Sequence, residues 1–93
     1  MPEKLSEVAP APSTPDEIRA WLTDRVGYYL ERPADTIDQA TPLSQYGLDS
    51  VYAFSLCGDI EDLLKIGVDP TLVWDYRTVD ALTDYLAERI ERG

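Results

Sequence analysis

The sequence predicts an all-α domain of four helices, three long and one short, with a long loop between the first two. Three segments carry apolar residues at helical spacing, and a fourth, shorter segment lies between the second and third. No segment shows the alternation of apolar and polar residues that is typical of a half-buried strand. With 93 residues, the chain is long enough for one domain with a single modest core.

The predicted domain covers residues 14–91 and follows a lead, residues 1–13, that we expect to be flexible. This lead contains three prolines and few large apolar side chains, so it cannot bury enough surface to order itself. A start at Met1 and an end soon after the last predicted helix favour, weakly, a freestanding protein over a piece of a larger one.

The first helix is predicted to run from Pro15 to Leu30. Thr14 and Glu17 have the spacing of a capping box, and Pro15 suits the first helical position. The apolar stripe of this helix consists of Ile18, Trp21, Leu22, Val26, Tyr29 and Leu30.

Residues 31–49 are predicted to form a loop, because Pro33, Pro42 and Gly47 interrupt any helical pattern. Loops longer than about 12–15 residues are uncommon in compact domains unless they have a function, although an inert connector remains the alternative. The candidates for anchoring this loop to the core are Ile37, Leu43, Tyr46 and Leu48.

The second helix is predicted to begin near Ser50 and to end near Lys65, with Gly67 as the stop signal. Residues placed at 100° intervals give a core stripe of Ala53, Leu56, Cys57, Ile60, Leu63 and Leu64. The opposite face carries Val51, Ser55, Gly58 and Asp62. Val51 is therefore an apolar residue on the outward face.

We predict the roles of four further residues in and around the second helix. Gly58 lowers the stability of the second helix by about 1 kcal/mol relative to alanine. It is either simply tolerated there, or it leaves room for another molecule to approach the outward face closely. Cys57 is expected to be a buried structural residue. Trp21 and Trp74 are predicted to belong to the core.

The last two helices have clear start signals. Asp69, Pro70 and Thr71 can open a short helix that ends near Trp74. Thr78 is predicted to cap the fourth helix. The apolar stripe of that helix consists of Val79, Leu82, Leu86 and Ile90.

Composition excludes several classes of function. Lys plus Arg total 8 against 18 Asp plus Glu, and the net charge of −10 argues against a nucleic-acid ligand and for basic protein partners, with solubility as the alternative. Because the chain has no His, we expect no Cys/His zinc site and no other metal site. No apolar run approaches the ~20 residues that span a bilayer, so we expect a cytoplasmic protein.

Ser50 is the candidate for modification, because it stands where the long loop meets a predicted helix start. Free backbone N–H groups and the helix dipole would stabilise a phosphodiester there. Without an adjacent His base, any group on Ser50 must be installed by another enzyme. From the residues alone, Asp49 and Ser50 are better explained as N-cap residues, which both residue types favour at helix starts.

Residues 42–51, Pro-Leu-Ser-Gln-Tyr-Gly-Leu-Asp-Ser-Val, resemble the attachment-site region of acyl carrier proteins. Residues 69–82 are similar to the third and fourth helices of carrier domains from modular polyketide synthases. Together with the first helix and the loop, the likeness covers residues 14–91. It implies the four-helix acyl-carrier-like bundle as the fold.

The resemblance also implies a non-catalytic carrier. A phosphopantetheinyl transferase would move phosphopantetheine from coenzyme A onto Ser50 with Mg²⁺, and the terminal thiol would hold acyl or polyketide intermediates as thioesters. Asp49 matches the family position directly before the modified serine, where the residue helps the transferase. The further partners implied are a ketosynthase, an acyltransferase or acyl-activating ligase, and other enzymes of polyketide, fatty-acid or antibiotic biosynthesis. The carrier itself is expected to be a monomer.

The predicted partner surface lies on the second helix. It consists of Val51, Tyr52, Ser55, Asp59, Glu61 and Asp62. Val51 matches the apolar position by which partner enzymes grip this helix, and the three carboxylates would steer weak encounters with Lys and Arg. Ser55 departs from fatty-acid carriers, which commonly have an acidic residue there, and this leaves the choice of partners open.

Three alternatives remain beside the acyl carrier. A peptidyl carrier shares the fold and cofactor but loads amino acids; Asp49 and the net acidity favour the acyl type. An unmodified acidic adaptor would dock through Val51 and Tyr52 and use Ser50 only as a cap. A small serine enzyme is the least favoured, since the chain has no His.

Overall fold

The computed structural model describes residues 12–92, so most of the predicted flexible lead lies outside the described residues. The helices are α1 (Pro15–Leu30), α2 (Ser50–Leu64), α3 (Leu72–Asp75) and α4 (Val79–Arg92). Two short 3-10 turns, Ala34–Thr36 and Leu43–Tyr46, lie between α1 and α2. The predicted architecture of three long helices and one short helix is confirmed.

The predicted capping box at the start of α1 is present. The backbone N–H of Glu17 donates to Thr14 Oγ1 at 3.2 Å, and the Glu17 carboxylate accepts the backbone N–H of Ser13 at 2.9 Å and that of Thr14. These backbone hydrogen bonds hold the pKa of Glu17 below its ordinary value. Pro15 occupies the first helical position as expected.

One core joins the four helices and the long loop. Its buried apolar members are Ile18, Leu22, Val26, Ile37, Leu43, Leu48, Ala53, Leu56, Cys57, Ile60, Leu72, Val73, Val79, Leu82 and Leu86. The loop contributes Ile37, Leu43 and Leu48 to this core, and Tyr46 packs against it. The loop is therefore anchored by the predicted residues, and it contains two 3-10 turns that its irregular pattern did not predict.

Polar contacts also hold the loop against α1 and α4. The Gln39 side-chain amide donates to Thr23 Oγ1 at 3.1 Å, and the backbone N–H of Asp80 donates to the Gln39 carbonyl at 3.0 Å. Arg19 Nε reaches Asp80 Oδ1 at 3.1 Å. These contacts tie the middle of the loop to the start of α4.

Gly27 lies where the chain leaves α1 and crosses back over it. The backbone N–H of Arg32 donates to the Gly27 carbonyl at 3.0 Å. A Cβ atom at Gly27 would lie 2.7 Å from the Arg32 carbonyl oxygen and 3.4 Å from Ala34 Cα. Both neighbours are backbone atoms, so the close approach of the loop to α1 requires glycine here.

Two predictions were wrong in detail. Lys65, not Gly67, adopts the left-handed conformation that ends α2, with φ of 57°. Trp74 is 41% exposed rather than part of the core, because α3 is a single turn that buries Leu72 and Val73 instead. Trp21 is partly buried and packs against the core as expected.

Within residues 12–92, no helix has the length and apolar character needed to cross a membrane. The same residues contain no group of three or more His, Cys, Asp or Glu side chains positioned to hold a metal ion.

Candidate functional site

Asp49 and Ser50 have different roles at the start of α2. Asp49 is the N-cap: its extended backbone precedes the helix, and its Oδ1 accepts the backbone N–H of Tyr52 at 2.9 Å. Ser50 is the first helical residue, and it is exposed. Its hydroxyl makes no hydrogen bond with any other described residue. The cap is therefore supplied by Asp49, which leaves the Ser50 hydroxyl uncommitted.

The residues before Ser50 fix its position. Gly47 adopts a left-handed conformation with φ of 88°, which ends the second 3-10 turn and which residues with a side chain rarely adopt. Leu48 is then buried in the core, and its backbone N–H donates to the Leu43 carbonyl. The sequence Gly47-Leu48-Asp49-Ser50 thus supplies a turn, an anchor, a cap and an exposed hydroxyl in that order.

The outward face of α2 beside Ser50 is apolar. Val51 is 68% exposed, as predicted from its spacing, and Phe54 is 65% exposed. Phe54 was missed by the sequence reasoning, although it lies four residues after Ser50 and therefore one turn along the same side of the helix. Tyr52 lies on the flank that faces α1, where its ring stacks on Tyr29 with centroids 5.6 Å apart.

The three acidic residues of the predicted partner surface have different surroundings. Asp59 faces α1, where its Oδ2 pairs with Arg25 Nη2 at 3.0 Å and accepts the hydroxyl of Tyr29. Glu61 is exposed, and its Oε2 accepts the backbone N–H of Val68 at 2.9 Å, which fixes the chain after α2. Asp62 is exposed and forms no ion pair with another described residue. The charge of Asp59 is thus neutralised within the domain, and Asp62 is the most available of the three.

Arg25, Tyr29 and Asp59 form a polar cluster between α1 and α2. The Arg25 guanidinium also lies over the Tyr28 ring, 4.7 Å from its centroid. Burial of the phenol, followed by its hydrogen bond to the Asp59 carboxylate, raises the pKa of Tyr29 above its ordinary value. The phenol consequently stays protonated to higher pH than a free tyrosine.

We expect the absorbance titration of tyrosine, taken as the difference between wild type and Tyr29→Phe, to have its midpoint above the ordinary ~10. A raised pKa means that the folded state holds this proton more tightly than the unfolded state does. The linked stabilisation is therefore fully present below about pH 10 and is lost as the pH rises through the raised pKa. Asp59→Asn should move the midpoint back down. An unshifted midpoint in the wild type would show that the cluster does not form.

Cys57 is buried, and its thiol donates weakly to the carbonyls of Asp69 and Pro70 at 3.8 and 3.7 Å. Burial is the main cause that raises the pKa of this thiol, which disfavours the reactive thiolate. The prediction of a structural cysteine is confirmed.

Ser55 is half-buried in the middle of α2, one turn beyond Val51. Residues 44, 50 and 55 are the serines of the chain between residues 20 and 86. Among the three, Ser50 alone is both exposed and located at the start of a long helix.

A sequence profile of the family described as "Phosphopantetheine attachment site" matches residues 20–86. The chain belongs to this carrier family. As a carrier domain it is non-catalytic and bears a phosphopantetheine arm, and its family implies a transferase and synthase enzymes as partners in general.

Carrier regions of large synthases are similar to this carrier in sequence. A 6-methylsalicylic acid synthase of Arthrobotrys oligospora is 32% identical over 92 residues, which is 94% of this chain and 5% of the synthase. Polyketide synthase ThaG of Burkholderia thailandensis is 36% identical over 84 residues, which is 89% of this chain and 2% of that protein. This carrier therefore spans a twentieth or less of the length of these two relatives.

Solved carrier structures share the fold. A free-standing peptidyl carrier protein from Acinetobacter baumannii has a TM-score of 0.82 and 37% identity, over 85% of this chain and 99% of that one. Acyl carrier protein LipD from Actinoplanes friuliensis has a TM-score of 0.71 and 45% identity, over 86% of this chain and 89% of that one. The expected acyl-carrier-like bundle is confirmed, and the names of the two neighbours include both kinds of carrier.

Proposed function

We propose that Ser50 is the residue that bears the phosphopantetheine arm. Its support is the exposed, uncommitted hydroxyl at the first position of α2, directly after the Asp49 cap. A phosphodiester there would lie at the positive end of the helix dipole, among backbone N–H groups that have no partner within the helix. Ser44 lies in a 3-10 turn and Ser55 in the middle of a helix, so neither offers this environment.

The transferase must supply the base that removes the proton of the Ser50 hydroxyl. The chain has no His, and the nearest carboxylate in sequence, Asp49, is engaged with the backbone N–H of Tyr52. Asp49 therefore acts as a positioning residue, since it holds the first turn of α2 in the helical geometry that presents Ser50.

The test of this assignment is arm transfer from coenzyme A by a broad-specificity phosphopantetheinyl transferase, followed by intact-mass measurement. We expect wild type to gain one phosphopantetheine and Ser50→Ala to gain none, because the accepting oxygen is gone. Ser44→Ala is the matched control and should be modified like wild type. Modification of Ser50→Ala, or its loss in the Ser44→Ala control, would contradict the assignment.

We further propose that the cargo is an acyl or polyketide intermediate held as a thioester on the arm. Its support is the similarity to polyketide synthase ThaG and to a 6-methylsalicylic acid synthase. The phosphopantetheinyl transferase, a ketosynthase and an acyltransferase or acyl-activating ligase are then the partners. They would meet the carrier on α2, at Val51, Tyr52, Ser55, Glu61 and Asp62, with Asp59 contributing little free charge because Arg25 neutralises it.

A peptidyl carrier is the second candidate, favoured by the 37% identity to a protein named as a peptidyl carrier. Loading assays on the arm-bearing protein separate the two. An acyl carrier should accept malonyl or another acyl group from an acyltransferase or acyl ligase and should refuse aminoacyl groups from adenylation domains. Efficient aminoacyl loading would favour the peptidyl carrier instead.

A further inference from the structure

A cavity of about 220 Å³ opens between the second 3-10 turn and α3. Its lining residues are Leu43, Ser44, Val73, Trp74 and Arg77. The backbone N–H of Leu43 donates to the Arg77 carbonyl at 2.9 Å, which holds the two sides of the cavity together. The volume is that of about seven water molecules in the liquid. The cavity therefore has room for a short acyl group but not for a long hydrocarbon chain.

Two polar side chains of this cavity are uncommitted. Arg77 Nε donates to the Trp74 carbonyl at 3.4 Å, and the two terminal nitrogens of Arg77 have no hydrogen-bond or ion-pair partner among residues 12–92. Arg19 and Arg25, in contrast, both pair with carboxylates. The Ser44 hydroxyl also makes no hydrogen bond within the same range. The cavity thus offers a guanidinium and a hydroxyl to a ligand.

The rest of the cavity is apolar. Leu43 and Val73 are buried, and the exposed Trp74 ring forms a further wall. A ligand that fits has a short apolar body and an anionic end. Among anions, a carboxylate matches the planar guanidinium best in shape, because its two oxygens can each accept one N–H from the terminal nitrogens.

The cavity lies within reach of an arm on Ser50. The backbone N–H of Leu48 donates to the Leu43 carbonyl at 3.4 Å, and Ser50 follows two residues later, at most ~7 Å along the chain. A phosphopantetheine arm has about fifteen main-chain atoms, as many as five extended residues, which span ~17 Å. The end of the arm can therefore enter the cavity beside Leu43.

We propose that this cavity holds the cargo of the carrier's own arm when that cargo is a short acyl group ending in a carboxylate, of which malonyl is the simplest. The carboxylate would pair with the terminal nitrogens of Arg77, and the thioester carbonyl would accept the Ser44 hydroxyl. The methylene group would pack against the Trp74 ring. The proposal rests on the attachment at Ser50 proposed above.

The tether makes a weak site sufficient. A chain with a net charge of −10 repels a free dicarboxylate from solution, and a single exposed ion pair is weak. A group on a short flexible arm, however, is present at an effective concentration in the millimolar range. Weak retention also suits a carrier, since the group must leave the cavity whenever an enzyme takes it up.

Release of the cargo by hydroxylamine tests the proposal. The arm is transferred with malonyl or acetyl already attached, from malonyl- or acetyl-coenzyme A, and intact mass confirms the loading. Malonyl should be released about two- to fivefold faster from Arg77→Gln than from wild type, because the ion pair shelters the thioester in the cavity. Acetyl should be released at the same rate from both, since it has no carboxylate.

Arg92→Gln is the matched control. It removes the same charge from an exposed residue of α4, outside the cavity, and malonyl should leave it at the rate of wild type. Nuclear magnetic resonance locates the cargo independently. The indole N–H signal of Trp74 should differ between malonyl-loaded and acetyl-loaded wild type but not between the two loaded forms of Arg77→Gln. The indole signal of Trp21, on α1, should not respond to either cargo.

The failures are distinguishable. Equal release of malonyl from wild type and Arg77→Gln would overturn the proposal. A Trp74 signal that is the same with malonyl and acetyl would also overturn it, since a ligand shared by both forms, such as the phosphodiester of the arm, would then occupy the cavity. If the attachment at Ser50 is wrong, Ser50→Ala still gains the arm, whatever the release rates are. Circular dichroism confirms that each variant keeps the fold.

Discussion

We expect Leu43→Ala to lower the free energy of unfolding by about 2–5 kcal/mol, because it removes a fully buried side chain from the core. Leu43 is 1% exposed, and its backbone N–H donates to the Arg77 carbonyl at 2.9 Å. It therefore fastens the long loop to the segment between α3 and α4. Urea unfolding followed by circular dichroism gives the change in stability.

Gln45→Ala is the matched control for Leu43→Ala. Gln45 lies in the same 3-10 turn but is exposed, so its loss should change the free energy of unfolding by less than about 0.5 kcal/mol. If Leu43→Ala were as well tolerated as Gln45→Ala, the loop would be the inert connector that the sequence left open. The loop would then play no part in holding the segment that leads to Ser50.

Gly27→Ala should lower the free energy of unfolding by about 1–3 kcal/mol, although alanine is the better helix former. The added Cβ would lie 2.7 Å from the Arg32 carbonyl oxygen, and a backbone atom cannot move away as a flexible side chain can. In a domain of this size, each kcal/mol corresponds to a fall in Tm of roughly 4–8 °C. A thermal melt is therefore sensitive enough to detect the change.

Gly58→Ala is the natural comparison, because it makes the same substitution at a helical glycine with open space around it. It should raise the free energy of unfolding by about 1 kcal/mol through helix propensity alone. The two variants are thus expected to shift Tm in opposite directions. A Gly27→Ala variant as stable as Gly58→Ala would contradict the close approach of the loop to α1.

The helix boundaries were predictable because their signals are local. Thr14 and Glu17 form a capping box within four residues of chain, and Thr78 caps α4 by accepting the backbone N–H of Ala81 at 3.0 Å. The end of α2 near Lys65 was predicted, but the stop residue was not, since Lys65 and not Gly67 takes the left-handed conformation despite its side chain. The carboxylate of Glu61 accepts the N–H of Val68 just beyond it, a contact that spans the turn and that spacing alone does not indicate.

The site was predictable where one helix determines it. The helical spacing of α2 placed Val51 on the outward face. The same spacing places Phe54, four residues after Ser50, on the side of the helix that carries Ser50. It could not show that Asp59 is neutralised, because Arg25 belongs to a different helix and is 34 residues away in sequence. The exposure of Trp74 was not predictable for a different reason. The helix α3 is a single turn, and four residues are too few to show from their spacing which side faces the core.

The surface around Ser50 is consequently less acidic than the composition implies. Val51 and Phe54 are exposed beside it, Asp49 caps the helix, and Asp59 is paired with Arg25. With the proposed attachment at Ser50, we expect recognition there to combine apolar contact with the remaining charge of Glu61 and Asp62. A strongly acidic carrier thus exposes a partly apolar surface beside Ser50.

The most direct test of the central claim is mass spectrometry of the protein purified from its native host, with peptide mapping of the modified residue. We predict a phosphopantetheine on Ser50, a fraction of it bearing an acyl group that hydroxylamine releases as expected for a thioester. A chain purified without any arm, or one with the arm on a different residue, would contradict the account.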